Sequence, residues 1–401
     1  MTREIGWFEE FNPECSTIVL SANVFESFPK AFIRALIRFG KPFVIDPVTY
    51  ILRDDDTELK EKRWYSKLAS FYRLNAVLPS GERVLGLSHL LNADDTPTNA
   101  LGQLVANVMR YQRARIVGSS ELQVVKEIEE FEGRTVDEGR LVPRWIIPPY
   151  FLANAERWVT ANKRCMEEAV RNKQTGEKVF GVITFDESLL GFEVFTNKIL
   201  TDYNIEGLDG YLIWISDFKE SVQSPQRLKA YIQFVQALAR LGKPIYNMYG
   251  GLFSFLLDDK GLTGACHSIC YGESKDANAE GGGIMATIRY YYESLRIKVP
   301  YARVPEILGL VGGAPRCDCE ACRTLFAIQG DSPEDRGVKM ELCAKHFLHI
   351  RRREIGEINS GRKAELLESF NSNYQSYSTA DRYNAYDLFY SHLHNWIEAL
   401  A

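Results

Sequence analysis

Three thiols stand within six residues in Cys317-Asp-Cys319-Glu-Ala-Cys322, and about two dozen residues later comes Cys343-Ala-Lys-His346-Phe-Leu-His349. Few arrangements constrain a chain so tightly. In a disulfide-poor compartment, cysteines this close are kept apart chemically only when a cation holds them, and Zn2+ takes about four tetrahedral Cys and His ligands. The spacing predicts a structural zinc site with Cys317, Cys319, Cys322 and a fourth ligand from a following helix. His346 is the expected fourth ligand. Cys343, one helical turn earlier on the same face, and His349 are the alternatives.

The compartment follows from the ends and the composition. The N-terminus, Met1-Thr-Arg-Glu-Ile-Gly-Trp-Phe, lacks the basic start and apolar core of a secretory leader, and no apolar run approaches the roughly 20 residues that span a bilayer. A cytoplasmic protein with no membrane partner is expected, so its eight cysteines read as thiols or ligands. The 401 residues are 45% hydrophobic and 25% charged, with a formal net charge of -5. That balance argues against wholesale polybasic wrapping of nucleic acid but permits a local basic patch.

Upstream of the thiols the chain alternates. Buried-strand patterns, rich in β-branched and aromatic residues, run over 17–20, 42–45, 145–148, 179–185, 211–215, 244–249 and 264–271, with a weaker one at 5–8. Amphipathic helical patterns separate most of them. The clearest spans 224–241, with Ser224 to cap it, Pro225 in its first turn and Gly242 to stop it. This rhythm means parallel crossovers, hence a doubly wound sheet or a closed barrel. The stretch 52–144 breaks it with helical patterns at 58–74, 100–113 and 121–131. It reads as a helical insertion that either shapes access to a large substrate or merely covers a face. The expected division is a barrel over 1–300 and a zinc-binding, helical subdomain over 301–401.

A basic run, Arg351-Arg352-Arg353, follows His346 with Lys345 beside it. It reads as a solvated helix face or as a clamp on phosphates. Carboxylates stand where strands end: Asp46 in Val44-Ile-Asp-Pro-Val-Thr-Tyr50, Asp186 in Thr184-Phe-Asp-Glu187, and Asp217 in Ser216-Asp-Phe218. Glu273 closes Gly264-Ala-Cys-His267-Ser-Ile-Cys-Tyr-Gly-Glu273, with Asp276 beyond it. Each has a plainer reading. Asp46 caps a turn before Pro47, Asp217 caps the next helix, and His267 is a packed histidine. Cys266 and Cys270 belong to the core, and Tyr290-Tyr-Tyr292 is packing.

A Cys-x-Cys-x2-Cys knuckle followed by a distant His on a C-terminal helix, after a β/α pattern, resembles the guanine transglycosylase family. The resemblance implies a TIM-like (β/α)8 barrel with the insertion and the zinc subdomain, and exchange of guanine in DNA or tRNA for a 7-deazaguanine. DNA is slightly favoured. It makes Asp46 the first catalytic candidate. The last strand lacks the aspartate that the family uses as nucleophile, so either Glu273 takes that role, with His267 and Asp276 as further polar candidates, or Asp46 does. Base recognition falls to Asp186, Asp217, Tyr50, Tyr249, Gly250 and Gly251, with Phe185 as a further stacking ring. Arg351, Arg352, Arg353 and Lys345 are the expected nucleic-acid contacts, and a homodimer is among the expected assemblies. Two rivals stand beside it: a zinc-containing nucleic-acid-binding barrel that has lost base exchange, and a barrel hydrolase of another class that uses His267 and Glu273.

Overall fold

The computed structural model describes residues 15–52, 62–73, 76–77, 83–84, 98–268, 272–277, 287–312 and 317–401. The fold is mixed α/β, mostly helical, with parallel strands. It divides into two compact units that are interleaved along the chain, at places other than residue 300. One holds 15–216 and 237–246, and the other holds 217–236 and 247–401.

In the first unit the elements run β1 (Ile18–Ser21), α1 (Ala22–Ser27), α2 (Pro29–Phe39), β2 (Phe43–Asp46), α3 (Arg63–Tyr72), β3 (Ala76–Val77), β4 (Arg83–Val84), α4 (Asn99–Ala114), α5 (Ser120–Phe131), α6 (Glu156–Arg171), β5 (Phe180–Asp186), α7 (Glu193–Asp202) and β6 (Gly210–Ser216). Strand β1 pairs in parallel with β2, and β5 with β6. The expected strand at 145–148 is reduced to a bridge: Ile146 pairs in parallel with Val179, while Arg144 N–H donates to Phe43 O. The prolines at its end, Pro148 and Pro149, are the cause, since neither has an N–H to extend a ladder. Tyr211 N–H then donates to Pro244 O, just before β7 (Ile245–Asn247). Strands β5 and β6 are buried along almost their whole length on both faces. That is why they read as continuous apolar runs rather than alternating ones. Gly210 is required there, because a Cβ would lie 2.1 Å from the Phe180 ring.

The insertion is helical as expected and built into this unit. Helix α5 packs on α2 and α4 on α6. The buried Glu26 of α1 accepts from Arg115 Nε at 2.6 Å and from Tyr111 Oη at 2.8 Å. Helix α8 (Pro225–Ala239) forms where predicted. Arg227 N–H donates to Ser224 Oγ, and Gly242 takes φ +72 after its end.

The second unit continues with α9 (Leu252–Phe255), β8 (Gly264–Ala265), β9 (Arg289–Tyr292), β10 (Ile297–Pro300), α10 (Val304–Leu310), α11 (Glu320–Ala327), α12 (Pro333–Asn359), α13 (Lys363–Ala380) and α14 (Ser391–Leu400). The strand expected over 264–271 is two residues long among the described residues. The weak strand candidate at 5–8 lies outside them. Strands β9 and β10 form an antiparallel pair with Tyr291 opposite Lys298. Helix α12 starts on a capping box, Ser332 with Asp335, and Pro333 suits its first turn. It packs against α11 and β9 and carries His346 and Arg351. Among the described residues no helix is long and apolar enough to cross a membrane.

Candidate metal centre and candidate active site

The thiol knuckle folds locally. Cys319 is the N-cap of α11, its sulfur accepting from Cys322 N–H at 3.4 Å, so the first turn of the helix points two cysteines at one place. Helix α12 brings His346 to them. Its Nδ1 lies 3.1 Å from Cys322 Sγ and 3.6 Å from Cys319 Sγ. The ligand atoms of Cys317, Cys319, Cys322 and His346 all lie within 4.8 Å of one another, and the four form a cluster able to hold a metal ion. Cys343 is outside this cluster, buried in the core with its thiol pushed up to about 12 by burial. His346 is the fourth member because its other nitrogen is fixed. Nε2 lies 2.7 Å from the Tyr291 carbonyl, which accepts a hydrogen bond from Nε2–H and leaves Nδ1 to face the sulfurs.

The donor set fits a cation on chemical grounds. Hydrogen bonds from Cys317 and Cys322 pull the Cys319 thiol far down, while contacts with Cys317 and Cys319 push Cys322 up. Without a cation the thiols share one another's protons; with one, all three can ionise. The Tyr290 ring stacks on His346 at 4.4 Å and 2°, and its hydroxyl lies 3.3 Å from Cys322 Sγ. The tyrosine triplet is therefore more than packing. Two of its members support the cluster.

Five residues past His346, α12 presents Arg351. Its expected role on a solvated, phosphate-facing surface is not what the structure gives. The side chain is 2% exposed and its Nη2 lies 2.6 Å from Glu273 Oε1. The guanidinium sits among the Phe255, Tyr291 and Phe347 rings. The helical period explains the correction: residues 343, 347, 350, 351 and 354 form the inward stripe of α12, while Arg352 and Arg353 fall on its exposed side. Arg353 pairs with Glu293, and Lys345 with Glu341 one turn away at 3.3 Å.

Glu273 is the centre of a charged cluster. Lys298 Nζ, from β10, stands 3.6 Å from its Oε2. Burial raises the Glu273 carboxyl, but the charges of Lys298 and Arg351 outweigh it and hold the group below the usual carboxylate range. His267, half-buried, turns edge-on to Phe255 and Phe347 and its Nδ1 contacts Ser268 O at 3.0 Å. Burial and the positive charge of Arg351 drive its pKa down to about 4, so it is a neutral imidazole at pH 7. Gly250 and Gly251 are glycines because of close approach. A Cβ on Gly250 would lie 2.9 Å from Ser254 Cβ, and one on Gly251 would lie 2.7 Å from Glu220 Oε2.

Glu220 was not among the expected residues. It is 5% exposed and its Oε1 accepts from Ser254 Oγ. Its only signal in the sequence is an acid shortly after a fully buried strand, a description that Asp217 meets first. Asp217 instead has an exposed side chain, 2.8 Å from Lys219 Nζ, and a backbone φ of +60. It does not cap the following turn, whose N-cap is Lys219. Tyr249 accepts from Lys275 Nζ at 3.1 Å. Lys298, too, had no signal, lying in an ordinary alternating strand.

Asp46 and Asp186 belong to the other unit. Asp46, 1% exposed at the end of β2, accepts at Oδ1 from Val48 N–H at 2.9 Å and Tyr150 Oη at 2.7 Å. The turn it holds is strained: Val48 has φ +48, an outlier for a β-branched residue. Tyr72, from the insertion, donates to Pro47 O at 3.1 Å. Tyr50 stacks on Tyr150 at 5.7 Å and meets Trp214 edge-on at 4.7 Å. It is buried, so its ring is part of a packed aromatic cluster. Asp186 caps its own turn by accepting from Ser188 N–H at 2.9 Å, and Phe185 packs edge-on against Phe195.

No protein-family model matches the chain, and no curated protein sequence matches it.

Proposed function

We propose that the chain is a zinc-containing, transglycosylase-like enzyme that exchanges guanine in nucleic acid, DNA before tRNA, for a 7-deazaguanine, with Glu273 as nucleophile. The observation that carries this reading is Glu273 itself: a carboxylate kept ionised by Arg351 and Lys298, in the unit that holds the Cys3His cluster. Base exchange needs a carboxylate to attack the sugar's anomeric carbon and leave again from the same face. A cationic cage favours the charged form of that carboxylate against the upward pull of burial.

Zn2+ bound by Cys317, Cys319, Cys322 and His346 would have four protein ligands and a structural role. Helix α12 joins that role to the chemistry, since it bears both His346 and Arg351. Tyr291 does the same, with its carbonyl on His346 and its ring against Arg351. The parallel run in the other unit follows sequence order from β1 to β6, whereas a doubly wound sheet reverses its order at a switch point. This supports a TIM-like barrel, with Asp46 and Asp186 at the strand ends where such barrels place their functional groups.

The test is release of labelled guanine from DNA and from tRNA when a 7-deazaguanine is added. Release from DNA is expected, with a loss of at least about a thousandfold in Glu273→Gln. Binding without release from either nucleic acid would replace this reading with the binding-module one. Cleavage of a glycosidic bond without base incorporation would favour a hydrolase.

A further inference from the structure

We infer that Glu220 is the proton carrier of the Glu273 site. Every other fully buried glutamate described has an arginine partner: Glu26 has Arg115, Glu129 has Arg34 and Arg134, and Glu354 has Arg296. Glu220 has no ion pair among the described residues. Its Oε1 takes the Ser254 hydroxyl at 2.5 Å, and Ser254 is itself joined to Asn247 Nδ2 at 2.9 Å and Tyr231 Oη at 3.2 Å. Its backbone is fixed by Trp396, whose indole N–H donates to Glu220 O at 3.0 Å.

Such an acid without a cation is built to keep a proton. Burial raises its carboxyl to about 7; the Ser254 and Gly251 hydrogen bonds oppose the rise and the charge of Glu273 adds to it. The charged groups that act on it include Glu273 and Arg351. Gly251 brings the two acids to one place. A Cβ there would lie 2.7 Å from Glu220 Oε2 and 3.8 Å from Glu273 Cβ, so a single bare backbone residue separates them. Two carboxyls with opposed environments, one ionised and one protonated, is the division of labour that nucleophile and acid require.

For its substrate this inference rests on the transglycosylase reading. As Glu273 attacks C1′, the C1′–N9 bond breaks, its electron pair passes to N9, and the Glu220 proton ends on the departing guanine. In the return half the incoming 7-deazaguanine gives its N9 proton to the Glu220 carboxylate. Its N9 bonds to C1′, the bond from C1′ to Glu273 breaks, and both acids are restored. One base replaces another with no redox change.

The experiment pairs a readout of the proton with a readout of exchange. Difference infrared spectra between pH 5.5 and 8.5 should show a protonated-carboxyl band that titrates near 7 in the wild type and is missing in Glu220→Gln. Glu220→Gln keeps the shape and the Ser254 contact but has no proton to give, and exchange should fall about 100- to 10,000-fold. The pH–rate profile should lose its limb near 7, and Ser254→Ala, which removes a hydrogen bond to the ionised form, should move that limb upward. Absence of the band in the wild type, or exchange in Glu220→Gln with the same rate and profile, overturns the inference. If the wild type has the band but exchanges no guanine, the substrate reading fails and the delivery of the proton to guanine fails with it, while the protonated acid stands.

Discussion

The thiol cluster and the carboxylate cluster lie in one unit, share α12, and are made in opposite ways. Three of the four groups of the thiol cluster come from six consecutive residues, positioned by one helix N-terminus. The carboxylate site draws Glu220 from the loop after β6, Gly251 from the start of α9, Glu273 from beyond β8, Lys298 from β10 and Arg351 from α12. The first is a local structure completed by one distant residue. The second exists only after tertiary folding, and all its charges are supplied by other elements. A local site should resist changes elsewhere, while an assembled one should fail when any partner is removed.

The sharpest way to test the contrast is to attack the local site. Cys319→Ser or Cys322→Ser should abolish stoichiometric zinc in the purified protein, read by elemental analysis, while Cys343→Ser should leave it unchanged. Because structural zinc binding is coupled to folding, chelation should lower the thermal midpoint steeply. If Cys343→Ser loses the metal as well, the cluster is not the local device described.

Next comes the assembled site. Arg351→Ala leaves the buried Glu354 and the half-buried Glu273 with less compensating charge, and should cost about 3–5 kcal/mol by denaturant unfolding. Zinc content should persist. An effect under about 1 kcal/mol would mean that Arg351 is not the keystone of the cluster.

A smaller effect concerns Glu220. Its folded carboxyl lies near 7, above the ordinary 4.5, so the folded chain binds a proton that the unfolded chain has already lost. Stability from this group is full below about 4.5 and is lost as pH rises through 7. Relative to Glu220→Gln, the wild type should weaken between pH 5 and 8 by up to about 3 kcal/mol. Parallel pH curves for the two proteins would refute the shifted acid.

The least effect is expected on the outer face of α12. Arg352→Ala and Arg353→Ala should change stability by no more than about 1 kcal/mol, since both are exposed. Should the outer face hold phosphates, these variants would flatten the salt dependence of nucleic-acid binding. Their neighbour Arg351 cannot be tested for this role, because its contribution is internal.

Much of the molecule was legible in residue order alone. The buried strands at 180–186 and 210–216, the three insertion helices and the capped helix after Ser224 all follow from periodicity and end signals, which are local properties of the chain. Cys317, Cys319 and Cys322 follow from spacing for the same reason. His346 could be named but not separated from Cys343, since both lie on one helix face until the Tyr291 carbonyl fixes the imidazole. What only the tertiary structure decided is charge. In sequence Arg351 is one of three like residues, and in the fold it is the internal partner of Glu273, 78 residues away. Glu220 looks like any surface acid until Ser254, Gly251 and Glu273 surround it. The protonation state of a group depends on burial and on the charges that face it, and those are set by which elements pack together rather than by which residues are adjacent.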